Sequence, residues 1–272
     1  MNQRAVSTAE YAQCKSTPTH VTVPFWETLS EDARVYNFAY GANVSRDSVE
    51  RRKLQPLESV PCRLPGFRLT FRLPALPLVE PSMGDVEVVD DDDDELHEIH
   101  GVCHLLTRDA WRRLQKSEGG QGVDRRQYVP HKVKCIAYDG RELEAYVLMT
   151  EQGKCIAPPL GFWCPPSARY VGKIVGGHKD YGMSSRYTDA VSQLPVTRAG
   201  FLAKAYVATI AVLMSPFLLV GFAHFRLAGG SLTSNPVIRG VVLIAWCCTY
   251  PFIPRAQCLA RPVSLSVKPA HT

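Results

Sequence analysis

The spacing of apolar residues changes period several times along the chain, and each change marks an element. Arg34-Val-Tyr-Asn-Phe-Ala-Tyr40 reads as a strand that Gly41 breaks. Phe67, Leu69 and Phe71 alternate with Arg68, Thr70 and Arg72, the pattern of a half-buried strand. Ile99 to Leu106 forms another apolar-rich strand. At Thr107 the period lengthens. Ala110, Trp111 and Leu114 share a helical face, Thr107 is placed to cap it, and Gly119-Gly120 ends it after Ser117. Strands from Tyr128 to Ala137 and Arg141 to Met149 are joined by a turn at Asp139-Gly140. Ser167, after Pro165-Pro166, caps a helix through Ile174, and a last helix from Ser184 to Leu194 aligns Tyr187, Val191 and Leu194. Strands outnumber helices and the helices cluster late. This predicts an α+β body over residues 34–195, built on a mostly antiparallel sheet or barrel. Residues 1–33 show no clear period and read as a flexible N-terminal arm.

Beyond Pro195 the pattern is different. All 26 Asp and Glu residues precede it, whereas Arg198, Lys204, Arg226, Arg239, Arg255, Arg261 and Lys268 follow it. The 21 residues 205–225 carry no Asp, Glu, Lys or Arg. As a helix they would reach roughly 30 Å, the thickness of a hydrocarbon core, with a kink at Pro216. A second run, 240–254, has 15 residues and holds Pro251 and Pro254. That length suits a short span, a re-entrant or interfacial helix, or a buried core helix. Residues 196–272 are therefore expected to be a membrane-anchoring tail that brings a lipid bilayer as partner. The basic flanks would leave the body in the cytosol, with the organelle unspecified. The net charge of +5 is no argument for nucleic acid, because the excess base sits beside apolar runs.

Other composition signals are bland. The 9 cysteines are scattered without a CxxC pair, which fits reduced thiols better than a disulfide scaffold or zinc ribbon. The first twenty residues show no continuous apolar core of a secretory signal. Asp90 to Asp94 and Glu95 read as a solvated loop, since a plain acidic run lacks calcium-loop spacing.

Two places could carry chemistry. In Asn37-Phe-Ala-Tyr-Gly-Ala-Asn43, a glycine follows a strand, so consecutive N–H groups can converge on an anionic or carbonyl oxygen. An ordinary strand-to-loop turn would look the same. Glu118 ends an amphipathic helix before two glycines, where a carboxylate can be pointed into a cavity to act as a base; a solvated helix-terminal Glu is the alternative. His100 and His104 on one strand lie about 13 Å apart by the strand rise, too far to share a zinc ion. No phosphate loop, GxSxG elbow or GxGxxG fingerprint occurs.

These residues also resemble a known family. Asn37 to Asn43 resembles the FAYGSN motif of γ-glutamylcyclotransferases, with Ala42 in place of Ser. Leu64-Pro-Gly-Phe67-Arg-Leu69 is similar to the family's second strand, and Ile99-His-Gly-Val102 to its GVVW strand. Leu114 to Gly119 looks like the helix that ends in the active-site Glu-Gly, and Tyr146 to Thr150 resembles YLMT. Pro166 to Tyr170 and Ile174 to Gly177 match the late region, and Tyr187 fits the last helix.

The resemblance implies a small β-barrel with surrounding helices and cleavage of a γ-glutamyl amide with release of 5-oxoproline, a reaction of glutathione metabolism. It implies substrate binding by Asn37, Phe38, Ala39, Tyr40, Gly41 and Ala42, with Asn43 closing the turn. It makes Glu118 the acid/base, maps a substrate-contacting tyrosine onto Tyr170, and puts a second pocket aromatic near Tyr128. It implies neither metal nor organic cofactor, and a small γ-glutamyl molecule as partner. Asn43, where other branches carry Leu, points to the branch acting on γ-glutamyl-amino acids. The alternative is a membrane-tethered, non-catalytic module that binds a γ-glutamyl or other small amide.

Overall fold

The computed structural model describes residues 19–20, 29–76, 78–89, 97–118, 128–150, 162–228, 240, 244, 259, 261–265 and 267. The acidic run Asp90 to Glu95, most of the N-terminal arm and most of the second apolar run lie outside them. The strands are β1 (Thr19–His20), β2 (Arg34–Ala39), β3 (Glu58–Pro65), β4 (Phe67–Leu76), β5 (Glu80–Val88), β6 (Glu98–Thr107), β7 (Val129–Ala137), β8 (Glu142–Met149) and β9 (Val263–Leu265). The helices are α1 (Arg46–Arg51), α2 (Arg108–Ser117), α3 (Ala168–Asp180), α4 (Ser185–Ser192) and α5 (Phe201–Ala228), and a 3-10 turn covers Ala42–Val44.

Five strands in the order β7-β3-β6-β2-β8 close into a barrel, because β8 pairs back onto β7. Every pairing in the barrel is antiparallel except β2 with β8. Closure removes the sheet edges, and the alternate side chains that point inward fill the lumen. Phe38, Leu64, Ile99, Val133 and Val147 pack there, and Ile174 of α3 with Tyr187 and Val191 of α4 join the same core. Cys62, Cys103 and Cys135 sit in it as free, buried thiols.

The main departures from the sequence pattern are tertiary in origin. The stretch Leu64 to Leu69 is two strands, because Gly66 takes a positive φ of 78° and turns the chain out of the barrel. The expected half-buried β4 is more enclosed than its alternation suggested, although Arg68 stays partly exposed. Thr70 and Arg72 are enclosed, and the Arg72 guanidinium holds Asp85 at 2.5 Å and Glu87 at 2.9 Å across the strand pair. The helix expected to end at Ile174 runs on to Asp180, and its Gly177 lies so close to the 3-10 turn that a Cβ would come within 2.7 Å of Val44. β5 and α1 had no clear periodic signal.

The tail differs most. The run 205–225 is helical within α5, but its start packs on the body: Val207 is buried with Leu78 and Cys164, with Ala203 and Tyr206 against them. Among the described residues no helix is long and apolar enough to cross a membrane, so the expected transmembrane helices are not supported. Farther on, β9 pairs with β4, Leu69 facing Leu265 and Phe71 facing Val263. Leu259 bridges Trp163, and Val267 bridges Glu98. A sheet that starts in the body is thus completed by residues well beyond 195.

Candidate active site

One end of the barrel carries a pocket lined by Asn37, Phe38, Ala39, Tyr40, Gly41, Ala42, Asn43, Tyr128, Tyr170 and Glu118. Every residue singled out from the sequence therefore meets in one place. Met83, Gly84, Leu148 and Arg52 complete the lining; Leu148 falls in the Tyr146–Thr150 motif, and no sequence signal marked the other three.

Local structure explains the position of each group. The Thr107 hydroxyl accepts from the Ala110 amide and starts α2, as the sequence pattern required. Ala110, Trp111 and Leu114 bury one face of that helix, which fixes its far end. Glu118 is its C-cap, with its N–H bonded to the Leu114 and Gln115 carbonyls. Its side chain is 14% exposed and accepts from Asn43 Nδ2 at 3.0 Å and from Arg52 Nη1 at 2.5 Å, both on Oε1.

Asn43 is held from two sides. Its carbonyl accepts from His104 Nε2 at 3.1 Å, and the His104 Nδ1 faces the Ser59 hydroxyl at 2.9 Å. A carbonyl can only accept, so the ring proton sits on Nε2 and Ser59 donates to Nδ1. Burial holds His104 down at about 4, hence neutral. With Nδ2 turned to Glu118, the buried Asn43 Oδ1 is left without a hydrogen-bond partner among the described residues.

Gly41 lies outside the left-handed region, with a φ of −104°. Glycine is needed for space: a Cβ there would stand 2.8 Å from the Tyr170 hydroxyl. Three phenols line the wall. Tyr40 donates to the Leu148 carbonyl at 2.6 Å, and Tyr128 donates to the Gly84 carbonyl. Tyr170 accepts from the Gly84 amide at 3.2 Å, which leaves its own O–H to donate elsewhere. Burial pushes all three up, Tyr170 to about 12, and negative charge nearby adds to this, so they stay protonated. Behind Gly84, Asp85 is clamped by Arg72 and the Thr150 amide, which fixes this wall from within.

Among the described residues no group of three His, Cys, Asp or Glu side chains could hold a metal ion. His100 is engaged by Tyr138 and Glu98, and His104 by Ser59 and Asn43.

No family model matches the chain. It is 27% identical over 156 residues to gamma-glutamyl cyclotransferase gliK of Claviceps purpurea (strain 20.1), covering 54% of this chain and 64% of the relative. It is 29% identical over 168 residues to gamma-glutamyl cyclotransferase aclK of Aspergillus oryzae, covering 57% and 59%. The chain thus spans about three-fifths of the length of these relatives. A solved structure named gamma-glutamyl cyclotransferase superposes with a TM-score of 0.50 at 18% identity, over 65% of this chain and 99% of that one, a likeness of fold. With gamma-glutamyl cyclotransferase verK of Clonostachys rogersoniana the identity is 31% over 169 residues, 56% of this chain and 89% of the relative. On that match, the chain belongs to the gamma-glutamyl cyclotransferase family.

Proposed function

We propose that this protein is a γ-glutamylcyclotransferase that converts γ-glutamyl-amino acids into 5-oxoproline and a free amino acid. The observation that carries the reading is the Glu118 carboxylate, which accepts from Asn43 Nδ2 at 3.0 Å and lines one pocket with the Tyr40–Gly41 bend.

The substrate brings its own nucleophile. Its α-amine attacks the γ-carbonyl carbon to close a five-membered ring, so no covalent enzyme intermediate forms and no cofactor is required. Asn43 Nδ2 holds the Glu118 carboxylate in place. Glu118 takes a proton from the amine as the new C–N bond forms, then delivers it to the leaving nitrogen as the old C–N bond breaks. Acid/base help of this kind supplies roughly 10²–10⁴-fold. The Tyr170 hydroxyl and the backbone amides of the Gly41–Asn43 turn are the donors for the substrate carboxylate or the oxyanion that develops on the γ-carbonyl oxygen. Holding amine and carbonyl in line adds several kcal/mol, about 7 or more in favourable intramolecular cases.

The test is incubation of the full chain with γ-glutamyl-alanine. Equimolar 5-oxoproline and alanine are expected. Tight binding without either product would replace this reading with a non-catalytic binding module.

A further inference from the structure

Arg52 is the single cation among the described residues that line the pocket. It stands at the C-cap of α1, where Lys53 and Gln55 take positive φ of 54° and 45° and turn the chain. Leu54 between them is buried against Trp111 and Leu114 of α2, so the turn is fastened to the helix that ends in Glu118. Arg52 Nη1 donates to Glu118 Oε1 and to Ser117 Oγ, each at 2.5 Å. Its side chain remains 28% exposed, twice the exposure of Glu118. A guanidinium has five N–H donors, and its Nε and Nη2 bond to nothing among the described residues.

We propose that Arg52 is the subsite for the carboxylate of the leaving amino acid, and so sets the substrate class as γ-glutamyl conjugates that carry an acid group next to the scissile nitrogen. This rests on the cyclotransferase reading. The glutamyl part occupies the inner wall of tyrosines and the Gly41–Asn43 turn. Glu118 must reach the scissile nitrogen, and whatever hangs from that nitrogen extends toward the more exposed side of Glu118, where Arg52 is. In an α-amino acid the carboxylate is two bonds from that nitrogen, within reach of a guanidinium that already touches Glu118. A charged fork pairs with a carboxylate better than any other side chain. The Nε and Nη2 donors let the guanidinium take the incoming carboxylate while Nη1 keeps its bond to Glu118.

The test compares γ-glutamyl-alanine with γ-glutamyl-ethylamide, which is the same skeleton without the carboxylate. Wild-type protein is expected to prefer the alanine conjugate in kcat/KM. Arg52→Gln is expected to erase about tenfold to a hundredfold of that preference, chiefly through KM for the alanine conjugate, and Arg52→Lys to restore part of it. Equal losses on both conjugates would overturn the proposal, since that is what a residue acting only on Glu118 or on the glutamyl group would do. If the wild type turned over neither, the cyclotransferase reading would fall instead. The same comparison by calorimetric affinity would then decide the role of Arg52, with equal affinities in wild type and Arg52→Gln refuting it.

Discussion

At the scale of single residues, the site is shaped by what is missing from Gly41. Its φ of −104° is open to other residues, so the requirement is steric and the partner is Tyr170. Gly41→Ala is expected to lower kcat/KM for γ-glutamyl-alanine by about tenfold or more, because displacing a donor by a few tenths of an ångström weakens aim as well as binding. The double variant Gly41→Ala, Tyr170→Phe removes the atom that the new methyl strikes. If the clash is the cause, the second change harms the Gly41→Ala protein less than it harms the wild type. Additive losses in this cycle would refute the clash. The motif from Asn37 to Asn43 and the place of Glu118 were legible in the sequence because each is local: a strand, a break, a capped helix with a glycine-flanked end. Arg52 and Gly84 were not, because their meaning comes from partners far along the chain. The Arg52 partner is 66 residues away, and the tyrosines that bracket Gly84 are 44 and 86 away.

At the scale of elements, two contacts fasten the segments that carry pocket residues. Leu54 fastens the turn after α1 to α2, and Gly177 lets α3 rest on the turn that carries Asn43. Leu54→Ala is expected to destabilise the fold by about 2–5 kcal/mol and to loosen Arg52 from Glu118. Gly177→Ala keeps a good helix former in α3, yet it is expected to destabilise by about 1–3 kcal/mol through overpacking against the Val44 backbone. Urea denaturation at equilibrium measures both, and an unchanged midpoint for either would show that the contact is slack. β2 was readable from the glycine that breaks it, and β4 from the alternation of Phe67, Leu69 and Phe71. β5 was not, since Pro81 and Gly84 weaken any local strand signal and Asp85 is buried only because Arg72 and Thr150 meet it there. The same physics hid the true character of β4, whose Arg72 looked solvent-facing in the alternation.

At the scale of the whole molecule, the chain beyond 195 is partly structural. β9 covers the outer edge of β4, and Val263 is buried there in the same cluster as Phe71. Hydropathy marked the apolar runs, but pairing of a short strand with a sheet some 190 residues earlier leaves no trace in local pattern. The fold also has a defined acid sensitivity. Burial holds His104 at about 4 and His178 at about 3, against an ordinary 6.5. Both stay neutral in the native state while the unfolded chain takes up protons below pH 6.5. Stability from these groups is therefore intact above pH 6.5 and declines as the pH falls toward 4 and 3, by about 2 kcal/mol per ring at pH 5. His104→Gln keeps a donor for the Asn43 carbonyl and is expected to lose less stability between pH 7 and pH 5 than the wild type. An identical loss in denaturation midpoints at the two pH values would contradict that account. The central claim concerns a single proton acceptor in the pocket, and Glu118→Gln preserves its shape while removing that capacity. The decisive measurement is kcat of this variant for 5-oxoproline release from γ-glutamyl-alanine. A fall of about a hundredfold or more with KM little changed is the predicted result. A variant that turns over as fast as the wild type would contradict it.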